Sequence, residues 1–246
     1  ATNAYNTAVG ALAGNAVTTG DSNTLIGGLA GDALTTGSDN TAVGTAALST
    51  DTLGSASVAI GKNALISQNF TTATTAYNVA VGRSAGAAVT TGVQNTLIGG
   101  LAGDAQTAAS NNTALGYASL STETNGSRNV AIGVLALETQ NTSGGGNIYN
   151  TAVGALAGQS ITTGVQNTLI GGEAGDALTD ADFNTALGAF ALSADTLGSR
   201  SVAIGYAALD AQNFTTATDA FNTAVGFEAG GAVTTGQFNP LVGAIA

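Results

Sequence analysis

The chain is built around the five residues Asn6-Thr7-Ala8-Val9-Gly10, a run that occurs fourteen times with small changes. The glycines that close these runs are Gly10, Gly27, Gly44, Gly61, Gly82, Gly99, Gly116, Gly133, Gly154, Gly171, Gly188, Gly205, Gly226 and Gly243. They are separated by 17, 17, 17 and 21 residues, and this order then repeats, so that four units form a 72-residue super-repeat. A fixed period of this size is typical of solenoids, in which each unit buries its apolar face by stacking on its neighbours.

Each five-residue motif has the pattern of a short strand followed by a corner. Side chains of a strand alternate between its two faces, so Thr7 and Val9 share one face while Ala8 points to the other. β-Branched residues at both same-face positions favour a strand, and the closing glycine allows a corner with positive φ. The sequence therefore predicts a mostly all-β protein, a β-solenoid of fourteen coils.

The segment between two motifs, for example residues 11–22, leaves two structures open. It is too short for periodicity to distinguish a bent second strand from a short helical turn. A mostly β coil is expected, with short helical turns as the alternative. The whole chain, residues 1–246, is interpreted as one β-solenoid domain, with super-repeats at about 6–77, 78–149 and 150–221 and a partial one at 222–246.

Composition and charge argue against several classes of function. The net charge is −11 and the only basic residues are Lys62, Arg83, Arg128 and Arg200, whereas nucleic-acid binding needs clustered Lys and Arg. No apolar stretch approaches the roughly 20 residues of a membrane span, so no membrane insertion is expected. The chain has no His and no Cys, which removes the commonest general base, thiol nucleophile and metal ligands. We therefore predict no enzyme activity and no cofactor.

Carboxylates give the one candidate for metal binding. Asp32, Asp104 and Asp176 lie 72 residues apart, each after Ala-Gly, and with loop carbonyls they could form a sparse Ca²⁺ site. The calcium-binding pattern Gly-Gly-x-Gly-x-Asp is absent, so no metal site is predicted. Asp180 and Asp182 fall in a polar turn, where a solvated loop is favoured over a catalytic pair.

The asparagine that opens most motifs forms a column when the coils are stacked, as in Asn6, Asn23 and Asn40. Two structural roles are open for this column. The side-chain amides can donate to and accept from the next rung, as in amide ladders. Alternatively, asparagine suits a turn position with left-handed backbone geometry.

Two groups of residues are candidates for contacts between chains. The first group are the leucines at the third motif position, opposite Ile or Val, which predict a strand covered on both faces by the coil interior and by another chain or layer. They are Leu25, Leu97, Leu169 and Leu241. The second group are the aromatic residues just before the motif that follows a long unit, which are expected to cover their loop or a neighbouring chain, with carbohydrate binding as the alternative. They are Tyr5, Tyr77, Tyr149 and Phe221.

The two ends of the chain carry a further prediction. Residues 1–5 match the tail of a long unit such as Ala73–Tyr77, and the chain stops early in its fourteenth unit. Pro240, the only proline, replaces Thr or Val in the last motif, and proline is tolerated chiefly in an edge strand. An exposed strand edge is a template for pairing with another chain. We therefore expect subunits to stack head to tail, with coverage by other domains of a longer fibre as the alternative.

The motif resembles repeats of two known families. Ser57-Val-Ala-Ile-Gly61, Asn129-Val-Ala-Ile-Gly133 and Ser201-Val-Ala-Ile-Gly205 resemble the head repeats of YadA-like trimeric autotransporter adhesins. The fuller pattern Asn-Thr-Ala-Val-Gly-x-x-Ala followed by Thr-Thr-Gly is similar to repeats in bacteriophage tail fibres, particularly of phages that infect cyanobacteria. The resemblance covers nearly the whole chain and implies a β-solenoid, often three chains wound together, used as a fibre or adhesive stalk.

The sequence thus predicts a structural protein of an extracellular fibre or filament, at a cell surface or on a phage tail, that self-assembles by solenoid stacking. Its expected partners are other copies, as a trimer or a head-to-tail filament, and surface glycans if the fibre is adhesive. The alternative is an ice- or carbohydrate-binding β-solenoid, because stacked threonines can form a regular face. Against ice binding, the threonine column at the second motif position is interrupted by Val58, Val79, Val130 and Val202.

Overall fold

The computed structural model describes residues 4–246 and is an all-β β-solenoid of about 14 turns. The described residues contain no helix, because the segments between motifs form successive turns. The predicted fold class is therefore confirmed, but in residues 11–22 neither of the two structures left open forms, since this segment is a series of turns without a second strand or a helical turn. The chain divides into two compact units, with the boundary between Asn125 and Gly126.

The first unit contains seven core strands of three residues, one from each motif, and two shorter strands. In chain order these are β1 (Thr7–Val9), β2 (Thr24–Ile26), β3 (Thr41–Val43), β4 (Gly54–Ser55), β5 (Val58–Ile60), β6 (Thr74–Thr75), β7 (Val79–Val81), β8 (Thr96–Ile98) and β9 (Thr113–Leu115). Successive core strands pair in parallel, with Thr7 opposite Thr24 and Val9 opposite Ile26. The extra residues of the long unit form β6, which pairs with β4 as a second short ladder.

The second unit has the same construction, with seven core strands and four shorter ones. They are β10 (Gly126–Ser127), β11 (Val130–Ile132), β12 (Gly146–Asn147), β13 (Thr151–Val153), β14 (Thr168–Ile170), β15 (Thr185–Leu187), β16 (Gly198–Ser199), β17 (Val202–Ile204), β18 (Thr218–Asp219), β19 (Thr223–Val225) and β20 (Pro240–Val242). The core strands are again parallel and in register, and β12 and β18 pair with β10 and β16. Equivalent residues of successive repeats therefore lie above one another within each unit.

In the turns between core strands, alternate backbone N–H groups donate hydrogen bonds within the turn and to the next coil. In the first coil, the N–H groups of Ala13, Asn15 and Val17 close tight turns onto carbonyls three residues earlier. The intervening N–H groups of Gly14 and Ala16 donate to carbonyls of the next coil. Each coil is thus bent by its own turns and tied to its neighbour by the alternate donors, which satisfies the backbone without a helix.

The corners depend on left-handed backbone geometry at residues other than glycine. Gly27 closes its motif with φ of 131°, and two residues later Leu29 has φ of 60°. The residue before the motif is also left-handed, as in Ser22 with φ of 56° and Asp39 with φ of 60°. Such geometry costs a non-glycine residue about 1 kcal/mol or more. Because the same corner recurs coil after coil, the ladder on both sides of it offsets this cost.

The core is a narrow column in which large and small residues alternate by position. The third motif position points inward, where Leu25 is 1% exposed. Gly31 makes room for that leucine, because a Cβ at Gly31 would lie 2.8 Å from Cδ2 of Leu25 and 2.9 Å from Cδ1 of Leu34. In the next coil, alanine holds the third position and Leu48, at the position of Gly31, fills the interior. A coil with a large side chain at one inward position thus has a small residue at the other, so each layer of the core is filled.

Candidate functional site

The outer face of the core strands is the first surface available to a partner. It carries the side chains of the second and fourth motif positions, which we call the outer ladder. The fourth position is always Val, Ile or Leu and forms the apolar row of this ladder. Val9, Ile26, Ile60 and Leu115 of this ladder are exposed, with 39% of Ile26 accessible to solvent. An apolar row that continues over successive coils is larger than the scattered apolar residues of an ordinary surface, and such surfaces mark interaction sites.

The leucines predicted to contact another chain lie on the opposite face. Leu25, Leu97 and Leu169 are fully buried inside their own coils, and Leu241 is partly buried in the last strand. Because the first three have no exposed side-chain surface, they stabilise the core and cannot themselves touch a partner. The residues that share their strands but face outward, such as Ile26 and Ile170, are the ones left accessible.

Pro240 begins β20 and lies opposite Thr223 of β19, with its side chain exposed. Proline has no N–H to donate, so this position suits a strand edge. Part of the other segment predicted to join subunits, residues 1–3, lies outside the described residues. The role of Pro240 and of residues 1–10 in assembly stays a prediction.

The four aromatic residues predicted as contact candidates are all on the surface, where Tyr5 is the most exposed, at 71%. Two of them contact an arginine from the coil before. Arg128 donates a hydrogen bond from Nη1 to the hydroxyl of Tyr149 at 3.1 Å, with its guanidinium 5.7 Å from the ring centre. Phe221 lies 5.9 Å from the guanidinium of Arg200, so arginine and aromatic residues form part of one outer column.

This column is most complete in the second unit, at the position just before the motif. Arg200 lies 4.6 Å from the ring centre of Phe183 and also forms a 3.0 Å salt bridge with Asp219. Phe221 in turn stacks on Phe238, with ring centres 5.3 Å apart. Because these rings already contact one another or an arginine, the column is largely occupied by its own contacts. Tyr77, also exposed, has no ring contact with another described residue.

A second set of exposed residues follows the motif glycine directly. In the first unit, Lys62 and Arg83 hold this position in consecutive coils, and both are exposed. In the second unit, Tyr206 and Phe227 hold it in consecutive coils, with their rings stacked at 5.3 Å and 12° between planes. Phe190 meets Tyr206 edge to face at 5.7 Å. Sequence reasoning missed this set, although the recurrence of large residues after the glycine was visible.

The carboxylates considered for Ca²⁺ are not brought together. Burial raises the pKa of the Asp104 carboxyl above its ordinary value. Burial also raises the pKa of Asp176, and the nearby Glu173 carboxylate adds to this shift. Within residues 4–246, no group of three or more His, Cys, Asp or Glu is placed to hold a metal ion. Asp104 and Asp176 are therefore partly desolvated carboxylates outside any such group.

The polar turn that holds Asp180 and Asp182 ties two coils together. The hydroxyl of Thr163 donates to Oδ1 of Asp180 at 2.6 Å, and the N–H of Val165 donates to Oδ1 of Asp182 at 2.7 Å. Both donors belong to the preceding coil. The two carboxylates thus serve as links between neighbouring turns.

The asparagine column is an amide ladder. The N–H of Asn23 donates to Oδ1 of Asn6 at 2.8 Å, while its own Nδ2 donates across the coil to the carbonyl of Gly37 at 3.0 Å. The left-handed residue is the one before the asparagine, such as Ser22, and not the asparagine itself. Of the two roles left open by the sequence, the ladder is confirmed and the left-handed turn position is wrong.

A buried polar network replaces this ladder where serine opens the motif, and sequence reasoning missed it. Gln68 donates from Nε2 to Oδ2 of Asp51 at 2.6 Å and to Oγ of Ser57 at 3.0 Å, and its Oε1 accepts from Nδ2 of Asn78 at 2.9 Å. All four residues are fully buried. The same contacts recur in the second unit among Asp195, Ser201, Gln212 and Asn222. The available signal was the pairing of each motif serine with a glutamine eleven residues later.

Within residues 4–246, the buried side-chain atoms without a hydrogen bond are Oδ1 of Asp32, Oδ1 of Asp176 and both amide atoms of Gln106. Gln106 is fully buried, and neither Nε2 nor Oε1 makes a hydrogen bond. Counting the motif asparagine as position 1, it holds position 12 of its coil, where the equivalent coils of the other super-repeats have Leu34 and Leu178. An unpaired amide in an apolar layer is destabilising.

No family model, no curated protein and no solved structure matches this chain. The described part of the chain also contains no helix that is long and apolar enough to cross a membrane.

Proposed function

We propose that this chain is a structural protein of an extracellular fibre or filament that assembles with other copies of itself. The observation that carries this proposal is the outer ladder, an apolar row in which the fourth motif residue of each coil is exposed or half-buried in both units. A row with the period of the coil is matched best by a surface with the same period. Another copy of the chain has the same coil spacing, so its apolar row can pack against this one, as identical side chains do when sheets pack in register.

The internal polar contacts support a scaffold role. Threonine hydroxyls of the turns are used between coils, since Thr18 donates to the carbonyl of Thr35 at 3.1 Å and Thr35 to that of Thr52 at 3.0 Å. The asparagine ladder and the Asp51 network likewise join one coil to the next. The groups that could otherwise bind a ligand are thus used to hold the stack together, as a load-carrying fibre requires.

Ice binding is the second candidate function, because Thr24 and Thr41 stand in register on the outer face of parallel strands. The interruption of the column at Val58 and Val79, next to Thr41 and Thr96, reduces the run of regular hydroxyls to three coils. Adhesion to surface glycans through the exposed aromatic residues is a further role that a fibre could carry.

Sedimentation velocity and negative-stain microscopy of the purified chain test the first proposal. We expect concentration-dependent association and fibres, and weaker association when Ile26, Ile60 and Ile170 of the outer ladder are all changed to Thr. Threonine keeps the strand preference and already shares the outer face of the strands of Ile26 and Ile170, as Thr24 and Thr168, so the coil should fold. A chain that stays monomeric at every concentration would contradict the fibre proposal, and thermal hysteresis from that monomer would support ice binding.

A further inference from the structure

We propose that copies are joined by a specific contact between two patches, a cationic patch in the first unit of one copy and an aromatic patch in the second unit of another. The cationic patch consists of Ile60, Lys62, Val81 and Arg83. The aromatic patch consists of Phe190, Tyr206, Phe227 and Glu228. Because it assigns the contact that holds copies together, this inference rests on the self-assembly proposed above.

The cationic patch is unusual on so acidic a chain. Only four residues are basic against fifteen acidic ones. Arg128 and Arg200 are each engaged by an aromatic ring of their own unit. Lys62 and Arg83 are exposed and make no salt bridge or ring contact with any residue from 4 to 246. They are adjacent, because β5 and β7 pair with Ile60 opposite Val81.

The aromatic patch offers both apolar area and negative charge. Tyr206 is 47% exposed and Phe227 is 50% exposed, although their rings are stacked on each other. Glu228 follows Phe227 directly, and the patch contains no basic residue. Across the row made by the fourth motif residue and the two residues after the glycine, the charged members are Lys62 and Arg83 in the first unit and Glu173 and Glu228 in the second. The part of this row in the first unit is therefore positively charged, and the part in the second unit is negatively charged.

The two patches also agree in spacing. Lys62 and Arg83 occupy the same coil position in consecutive coils as Tyr206 and Phe227 do. Adjacent strands are separated by about 4.8 Å, and the two ring centres are 5.3 Å apart. The side chains of Lys62 and Arg83 can thus span the two coils that hold the rings, with their alkyl stems against the exposed rings and their charged groups toward the Glu228 carboxylate. This match identifies the occupant of the aromatic patch as a second copy of the chain.

A contact between two different patches leaves one patch of each kind free on every pair. Such a heterologous contact can be repeated by the next copy, and it gives an open filament when the rotation between copies does not close a ring. This property links the patch contact to fibre growth.

Two patch variants and their mixture test the proposal by sedimentation velocity. The first variant carries Lys62→Glu and Arg83→Glu and keeps the aromatic patch. The second carries Tyr206→Thr and Phe227→Thr, a residue that Thr45 shows is accepted after the glycine, and keeps the cationic patch. Each variant alone should associate at least about tenfold more weakly than the wild type. Their equimolar mixture should form a one-to-one dimer that does not grow, because only one working pair of patches remains.

The control Arg128→Glu reverses one positive charge outside the patches, half the charge change of the first variant, and should associate like the wild type. Circular dichroism identical to the wild type shows that each variant is folded. If the wild type associates and both variants do so equally well, the patch contact is wrong while the fibre proposal stands. If the variants are monomeric and their mixture is too, the pairing of unlike patches is wrong. A monomeric wild type overturns both proposals.

Discussion

The backbone N–H of Asn95 donates to the side-chain Oδ1 of Asn78 at 2.9 Å, although the two residues are 17 positions apart. Asn95 then donates from Nδ2 to the carbonyl of Ala109 on the far side of its own coil at 2.8 Å. One side chain thus fixes the next strand and braces its own coil. In this column, the same amide group sets the spacing between successive coils and holds the two sides of its own coil together.

Replacing Asn95 by Ala should destabilise the protein. The substitution leaves the buried carbonyl of Ala109 without its donor and the N–H of Asn112 without the Asn95 oxygen that accepts it at 3.0 Å. Two such losses cost roughly 2–6 kcal/mol, which urea unfolding would measure. The exposed neighbour Gln94→Ala is the control and should change stability by less than about 0.5 kcal/mol. Equal effects of the two substitutions would contradict the ladder's role.

Replacing Gln106 by Leu should stabilise the protein. Its buried amide makes no hydrogen bond, and Leu34 and Leu178 show that leucine fits the equivalent position. Removing the unpaired amide should raise the free energy of unfolding by roughly 1–3 kcal/mol. The same change at Gln68 should have the opposite sign, by at least about 2 kcal/mol, because it removes the donor to the buried Asp51 carboxylate. Thermal or urea unfolding of the two variants checks the prediction, which fails if both shift in the same direction.

Two adjacent glycines should respond differently to alanine. Gly27 has φ of 131°, and a Cβ there would lie 2.6 Å from the carbonyl oxygen of Gly44 in the next coil. We expect Gly27→Ala to cost at least about 2 kcal/mol from backbone strain and this close approach. At Gly28 a Cβ would meet only the carbonyl of Ala11, at 3.9 Å. Gly28→Ala should therefore be nearly neutral, and comparable unfolding midpoints for both variants would show that the corner does not need glycine.

Asp104 should make stability depend on pH in a defined direction. Burial raises the pKa of its carboxyl, so the folded chain binds a proton more readily than the unfolded chain does. Its contribution is fully present below the unfolded pKa and is lost as pH rises through the folded pKa. Asp104→Asn should thus raise the melting temperature at neutral pH. On acidification, its stability should increase less than that of the wild type. Asp176→Asn should behave alike, and melting curves that shift with pH in parallel with the wild type would contradict this account.

The repeat arithmetic of the sequence was enough to predict the solenoid, its coil number and the stacking of like residues. A strict 17/17/17/21 spacing leaves each unit unable to bury its apolar residues except against its neighbours, so stacking in register follows. Stacking in register also predicted that the Asn23 side chain could bond to the next coil as part of an amide ladder, which was one of the two roles considered for it. Contacts between coils were predictable where they join equivalent residues of successive repeats.

The tertiary structure alone decided which face of the strand is inside and which side chains remain for a partner. Leu25 and Ile26 are both apolar, so the period-two contrast that marks an inner face was missing, and the space left by Gly31 places Leu25 in the core. Leu29 is left-handed against its own local preference, because the ladders of adjacent coils fix the corner. The burial of Asp51 depends on Gln68, which is distant along the chain but one coil away in space. Such features depend on which side chains fill neighbouring coils, and for the last of them the spacing of Ser57 and Gln68 was the one signal in the sequence.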